Sequence, residues 1–262
     1  MSGRFAGRTV LITGSGHGIG AAMAADFVAE GAYVVINCFR DPEFAAATLS
    51  SLPGGSAEVI QADVRDQAWV RRMFATVAER HGSLDVLVNN AASGVFGQMS
   101  DLTARSWERA YETNFQGTLR CTEGAAELMS GGGGAIVNVS SLGVAVAVPQ
   151  YAAVAASKAA VEALTRYHAV EYAPRGIRVN TASAGVIAGD NDSVNLPPEV
   201  IAAAEALTPL GRLGRASELS AVVRFLASPA ASWITGQILH ADGGMSVGYL
   251  AAAAKSASVQ GP

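Results

Sequence analysis

Long basic runs are missing from this chain, and so is any strong excess of one charge. Lysine and arginine number 18 against 22 acidic residues, for a formal charge of −4. The electrostatic footprint that binding to a phosphate backbone requires is therefore lacking, and no nucleic-acid partner is expected. Cysteine is scarce: Cys38 and Cys121 are the only two. They have neither the close spacing of metal ligands nor the even framework of a disulfide scaffold, a usage that fits a reducing compartment. Both read as buried packing residues, and no metal is expected. No apolar stretch approaches the roughly 20 residues of a membrane-spanning helix. Residues 1–14, MSGRFAGRTVLITG, offer no uninterrupted apolar core of a leader peptide. The expectation is a soluble, cytoplasmic protein with no membrane partner.

What is present is hydrophobic residue in quantity, 50% of 262 positions, enough to bury one large core. Repeats, linkers and shifts of composition are not seen up to about residue 250, so one domain over 1–250 is expected. The tail at 251–262, AAAAKSASVQGP, has no periodic apolar face and is expected to be poorly ordered.

Short β-branched runs alternate with helical stretches along the chain. Residues 8–13, RTVLIT, read as a strand that feeds Gly14, Ser15, Gly16, His17, Gly18, Ile19 and Gly20, with an Ala-rich helix running on to Glu30. Glycine lets backbone approach a phosphate closely, and the helix N-terminus behind it presents free N–H groups and partial positive charge. A glycine cluster is a weak signal by itself; between a strand and a helix it reads as a pyrophosphate cradle.

A second strand, YVVIN at 33–37, ends beside Cys38 and Arg40, where an adenosine ribose would lie. An NAD-selective site usually has a carboxylate there, whereas a 2′-phosphate calls for a cation. Arg40 fits that second role, or that of a solvated loop residue partly offset by Asp41, and NADPH is favoured over NADH. A third strand over AEVIQADV ends at Asp63, placed either to accept from the adenine amino group or to cap the next helix. Asp66 is the better-placed cap, which leaves Asp63 for the cofactor.

LDVLVN at 84–89 is a continuous apolar run of the doubly covered kind, ending in Asn89, Asn90, Ala91, Ala92 and Ser93. Helical segments across 104–129 carry Asn114, a satisfied buried amide unless a site lies beside it. The glycines at 131–134 precede a strand, AIVNVSS, and so form a turn and not a second phosphate loop. That strand ends in Ser140 and Ser141, and ligands bind at such carboxyl ends in an open parallel sheet. GIRVNTAS is a further strand, the polar stretch 185–209 reads as a loop covering substrate, and a helix at 216–228 and a strand at 234–240 follow.

Between them lies QYAAVAASK, with Tyr151 and Lys158 seven positions apart. Seven residues are close to two helical turns, so the two project from nearly one face about 10 Å apart along the axis. An isolated pair of this kind reads as an anchor and a solvated lysine; its setting decides otherwise.

Taken together, Thr13 to Gly20, Asp63-Val64, Asn89 to Ala92, Asn114, Ser140-Ser141, Ser157-Lys158 and Asp242-Gly243-Gly244 resemble the short-chain dehydrogenase/reductase superfamily, over about 8–247. The resemblance implies a three-layer α/β fold, a Rossmann-type doubly wound parallel sheet of about seven strands, a nicotinamide cofactor and a homotetramer. It implies that Ser141 orients a substrate carbonyl, that Lys158 binds the nicotinamide ribose and lowers the acid's pKa, and that Asn114 supports a proton-relay water. Cofactor contacts are implied for Gly14, Ser15, Gly16, His17, Gly18, Ile19, Gly20, Arg40, Asp63, Val64, Asn90, Ala91, Lys158, Gly185 and Ile187.

Most members place the catalytic tyrosine four residues before the lysine. Here that position is Val154, which donates no proton. Either the acid is lost, or Tyr151 supplies it in a Tyr-x6-Lys arrangement. That spacing, with NNAASGV at 89–95 and SKAAVEALTRYHAVE at 157–171, is similar to the type III bacterial enoyl-acyl-carrier-protein reductases. The covering loop and His17, where NADPH-binding relatives often have Arg, match less well. In a ketone reduction one C=O takes both hydride and proton, but in an enoyl thioester hydride goes to Cβ while charge develops on an oxygen two carbons away. Moving the tyrosine by three residues shifts its Cα roughly 4.5 Å along the helix axis, the right order for that separation.

The resemblance thus implies an NADPH-dependent reductase of trans-2-enoyl thioesters carried by acyl carrier protein or coenzyme A. A carbonyl reductase or tailoring enzyme of secondary metabolism, and a catalytically silent dinucleotide sensor, are the alternatives. His168, Tyr167 and Tyr172 read as core or interface packing, and His81 as a cation at a helix C-terminus. Arg212 and Arg215 fit either an acidic carrier or solvent.

Overall fold

The computed structural model describes residues 3–40, 42–129, 132–188 and 198–248. The expected disordered tail, Asp41 and the middle of the expected covering loop lie outside them. Seven strands, β1 (Thr9–Ile12), β2 (Tyr33–Cys38), β3 (Ala57–Gln61), β4 (Val86–Asn89), β5 (Gly134–Ser141), β6 (Ile177–Ala184) and β7 (Ile238–Ala241), form one sheet. Every pairing is parallel, in the order β3-β2-β1-β4-β5-β6-β7. Numbering ascends outward from β1 on one side and from β4 on the other, so the order reverses between those two strands. A crevice opens there, beyond the strands' carboxyl ends.

Helices cover both faces, which explains why the strand sequences run apolar without alternation. Val10 and Ile12 of β1 face one core with Met23 and Phe27 of α1 (Gly18–Ala29) and Leu219 and Val223 of α8 (Ala216–Ala227). Leu11 between them faces the other, with Val70, Met73 and Phe74 of α3 (Gln67–His81) and Cys121 and Ala125 of α5 (Gly117–Leu128). Each fully buried aliphatic side chain contributes about 1.5–3 kcal/mol relative to exposure. A one-residue register slip would exchange the two cores, so the register is strongly fixed.

Both cysteines are buried as read, and burial raises the Cys121 thiol to about 12, so it is an inert packing residue. Asp66 caps α3, accepting from Ala68 N–H at 2.7 Å and Trp69 N–H at 3.0 Å.

Three elements differ from the sequence reading. Within the helical segments expected across 104–129, Glu112–Gln116 between α4 (Ala104–Tyr111) and α5 is a π-helical turn. Part of the covering loop is helical, as α7 (Pro198–Leu207). The third strand stops at Gln61, so Asp63 sits in a loop and not at a strand end. Among the described residues no helix is long and apolar enough to cross a membrane, and no cluster of metal-ligating side chains occurs.

Candidate active site

The glycine turn joins β1 to α1 and is braced from three sides. Thr13 Oγ1 accepts from the N–H groups of Asn90 and Ala91, both at 3.0 Å, and Asn90 Nδ2 donates to the carbonyls of Thr13 and Gly14 at 3.0 and 2.9 Å. Asn37 Oδ1 accepts from Gly14 N–H at 3.2 Å. Thr48 Oγ1 donates to the Gly16 carbonyl at 2.8 Å. Gly14 has φ 62° and a Cβ there would come within 2.8 Å of Ala91 Cα, so no other residue fits without a shift. At Gly20 a Cβ would meet the Gly14 carbonyl at 2.5 Å, because the helix starts hard against the turn.

This turn has the chemistry of an anion cradle. His17, at the N-cap of α1, makes no side-chain capping bond, and the first turn carries no acid. By contrast, α3 and α4 are capped by Asp66 and Thr103. An uncapped N-terminus at a glycine turn leaves its N–H groups and partial charge to a ligand, and a pyrophosphate is the fitting one.

At the far end of β2, Arg40 and Arg65 stand over the Phe39 ring, 5.6 and 5.4 Å from its centroid. Sequence pattern alone does not single out Arg65. It grips Asp63 at both carboxylate oxygens, Nε at 3.0 and 3.1 Å and Nη2 at 2.7 Å. Burial alone would raise the Asp63 carboxyl, but the hydrogen bonds and charge of Arg65 outweigh it and hold the pKa below the usual range. Asp63 thus comes to the site already paired with a residue two positions away, a spacing that marks the pair in retrospect, and its carboxylate keeps acceptor capacity beyond Arg65.

Across the crevice, β5 ends in Ser140 and Ser141, and α6 (Ala152–Tyr172) rises from the loop that follows. The Tyr151 hydroxyl donates to Ser141 Oγ at 3.1 Å, and that oxygen also accepts from Gly143 N–H at 3.3 Å. Tyr151 is the residue before the first helical turn, at φ −112° and ψ 6°, not a member of the helix face the spacing suggested. Burial raises its phenol, with the Ser141 hydrogen bond working in the opposite direction; the group is protonated at neutral pH and able to act as an acid. Val154, in the position more usual for the acid, is buried in α6.

Lys158 is 4% exposed, and its Nζ donates to the Val139 carbonyl at 2.6 Å. An ammonium has three donors, so two remain for a ligand. Burial lowers its pKa to about 8, opposed by the charge of Glu162 one turn on. Glu162 in turn accepts from Ser140 Oγ at 2.6 Å. This buried carboxylate is likewise absent from the sequence reading, although its i+4 spacing from Lys158 is a readable signal.

Asn114 is fully buried in the π-helical turn. Its Oδ1 accepts from Ser93 N–H at 2.7 Å and its Nδ2 donates to Ser157 Oγ at 2.9 Å, tying the loop after β4 to α6. Thr118 Oγ1 donates to its backbone carbonyl at 2.8 Å. Gly185 and Ile187 follow β6, pinned by Gly185 N–H to the Ala241 carbonyl at 3.0 Å and by a bridge from Ile187 to Gly214. They line a cleft of 510 Å³ with Thr208, Leu210 and Asp242. Val64, in the loop after β3, is buried. Arg212 is paired to Glu218 at 2.7 and 2.9 Å.

A family model described as enoyl-(acyl carrier protein) reductase matches residues 14–246. The chain belongs to the short-chain dehydrogenase/reductase superfamily. Such reductases and dehydrogenases are oxidoreductases that bind NAD(P)(H) on this sheet, and the chain is one of them. Its relatives in the superfamily act on varied substrates. It is 38% identical over 249 residues to 3beta-hydroxysteroid dehydrogenase 1 of Eggerthella lenta, covering 92% of this chain and 94% of the relative. It is 37% identical over 246 residues to 1-cyclohexenylcarbonyl-CoA reductase of Streptomyces collinus, covering 90% and 86%. Among solved structures, a short-chain type dehydrogenase/reductase from Mycobacterium ulcerans superposes with a TM-score of 0.88 at 31% identity, over 93% of this chain and 91% of that one.

Proposed function

We propose that this short-chain reductase is an NADPH-dependent enoyl-thioester reductase, with Tyr151 as the acid. The observation that carries the reading is the hydrogen bond from the Tyr151 hydroxyl to Ser141 Oγ at 3.1 Å, with Val154 buried where the acid more often stands. The family model's description and the cyclohexenylcarbonyl-CoA reductase relative lend support. Arg40 beside Phe39, with no acid at the end of β2, supports a 2′-phosphate.

The residues that would hold the cofactor are Gly14 to Gly20 at the pyrophosphate, Arg40 at the ribose phosphate, Val64, Asn90 and Ala91 along the crevice, and Lys158, Gly185 and Ile187 at the nicotinamide end. When bound, NADPH supplies the hydride. The chain's own part is electrostatic and positional. The Tyr151 O–H, oriented by Ser141, donates to the thioester oxygen as negative charge develops there, an interaction strongest in the transition state. Lys158, mostly protonated at neutral pH and held by the Val139 carbonyl, would bind the nicotinamide ribose with its two remaining donors. Asn114 holds the Ser93 loop against α6 so that the two walls of the site keep their separation.

Oxidation of NADPH with a short trans-2-enoyl thioester tests the reading. Tyr151→Phe should lower kcat about 10²- to 10⁴-fold, the usual contribution of a positioned acid. Turnover that survives the substitution would remove Tyr151 from that role. The hydroxysteroid dehydrogenase relative favours a second reading, reduction of a ketone, and a ketone and quinone panel run beside the thioester separates the two.

The acyl carrier is coenzyme A or acyl carrier protein, in the cytoplasm, and the assembly is a homotetramer. Tyr167 and Val170, 74% and 78% exposed on the outer face of α6, supply an apolar surface for another copy. Sedimentation equilibrium reads the assembly. The Arg212 pairing with Glu218 weighs against Arg212 as the carrier's contact.

A further inference from the structure

The Tyr-x6-Lys spacing starts the phenol about 4.5 Å farther along the helix axis than the usual spacing does, so something other than helical phase must bring its oxygen to Ser141. Three contacts surround the ring. Gln150, immediately before it, has φ 62° and is the only non-glycine residue with positive φ among the described residues. Glutamine gains nothing from that left-handed conformation, which asparagine and glycine take more readily. Its carbonyl accepts from Gly97 N–H at 3.0 Å, which holds the bend in place, and Tyr151 N–H donates to the Val148 carbonyl at 3.3 Å.

On a second side the Cδ1–Cε1 edge of the ring comes up against Gly143. A Cβ built there would stand 2.4 Å from Tyr151 Cδ1 and 2.6 Å from Cε1, and the three nearest heavy atoms to it all belong to Tyr151. The backbone of Gly143 thus touches the ring while its N–H touches Ser141, the residue the phenol meets. On the third side Phe96, the neighbour of Gly97, sets its ring 5.6 Å from that of Tyr151 at 40°.

We propose that Gly143 and Gln150 are positioning residues for the acid: the left-handed bend at Gln150 swings the Tyr151 ring across α6, and the missing side chain at Gly143 gives it the space to reach Ser141. The inference rests on the reading of Tyr151 as the acid and deepens it. The Tyr-x6-Lys spacing works only with these two companions, one before the tyrosine and one after the serine. They act through Tyr151 and not on the substrate.

A double-mutant cycle in the full chain tests this, using NADPH and a short trans-2-enoyl-CoA. Gly143→Ala should lower kcat about 10-fold or more with KM within about threefold, the pattern of a lost transition-state interaction. In the Tyr151→Phe background the same change should add less than about twofold, because the group it displaces has gone. An equal loss in both backgrounds, or no loss in the first, overturns the proposal.

Gln150 gives an independent arm that leaves Gly143 intact. Gln150→Gly, at ease with positive φ, should retain at least about half of kcat, whereas Gln150→Val, which strongly disfavours it, should fall with Gly143→Ala. Equal behaviour of the two Gln150 variants overturns it.

Tyrosinate absorbance, taken as wild type minus Tyr151→Phe, reads the phenol without turnover. Its midpoint should lie above the ordinary tyrosine range in the wild type and move down towards it when Gly143→Ala turns the ring out of its buried seat. An unmoved midpoint is a refutation. If Tyr151→Phe alone leaves turnover intact, the acid assignment fails, and this titration still decides whether Gly143 places the ring.

Discussion

At the scale of single residues, Lys158 carries the largest electrostatic burden of the site. Burial depresses its pKa from 10.5 to about 8. The native state therefore sheds this proton at a pH where the unfolded chain still holds it, and stability rises with pH between about 8 and 10.5. Below that window the buried charge costs about 3 kcal/mol, since each tenfold loss of proton affinity corresponds to about 1.4 kcal/mol. Lys158→Met removes the charge at similar volume, so the variant should be the more stable form near pH 7 and its advantage should shrink as pH approaches 10.5. Urea unfolding at a series of pH values measures the difference, in which the buried tyrosines common to both proteins cancel. A wild-type minus variant difference that stays flat from pH 8 to 10.5 would mean that Lys158 is not held against its charge.

The sequence pointed to Tyr151, Lys158, Ser141 and Asn114 by type and spacing, and the fold gathers all four on the carboxyl side of β4 and β5. Gln150, Gly143 and Arg65 escaped because a backbone angle, an absent side chain and a local ion pair leave no mark in composition.

At the scale of elements, the π-helical turn at Glu112–Gln116 sets the geometry between α4 and α5. One extra residue per turn rotates Asn114 inward, where its side chain bridges Ser93 and Ser157. Asn114→Ala leaves the buried Ser93 N–H without its acceptor, at a cost of about 1–3 kcal/mol. Its urea midpoint should fall accordingly with an unchanged m-value, and a midpoint equal to wild type would show that the bridge is dispensable. Such a turn was not legible in the sequence, since one inserted residue barely disturbs an apolar period read across the whole of 104–129. α7 was legible in principle: Pro198 stands at its first position and Glu199 in its first turn, ahead of an alanine-rich run. The polar texture of the preceding residues masked it.

At the scale of the whole molecule, strand order does the organising. The family resemblance implied a doubly wound sheet, and the reversal between β1 and β4 is where the glycine turn and the Asn90-Ala91 corner meet. From that crevice the proposed site extends one way to Arg40 beyond β2 and the other way to Gly185 beyond β6. A ligand spanning it ties together loops from both halves of the sheet, so its binding should be read in the stability of the entire fold. At about 100 times its Kd a ligand stabilises by about 2.7 kcal/mol. For a chain of this length that raises Tm by roughly 5–11 °C.

NADPH and NADH differ only at the 2′ position, so the difference between their shifts at equal concentration isolates the contact beyond β2. NADPH should give the larger shift. Arg40→Ala should bring the NADPH shift down to that of NADH while leaving the NADH shift in place, because a neutral 2′-hydroxyl draws little from a guanidinium. Equal shifts in the wild type would remove Arg40 from cofactor selection and return it to solvent. A preference for NADPH that survives Arg40→Ala would instead move the phosphate contact to Arg65, released from Asp63 by the incoming charge.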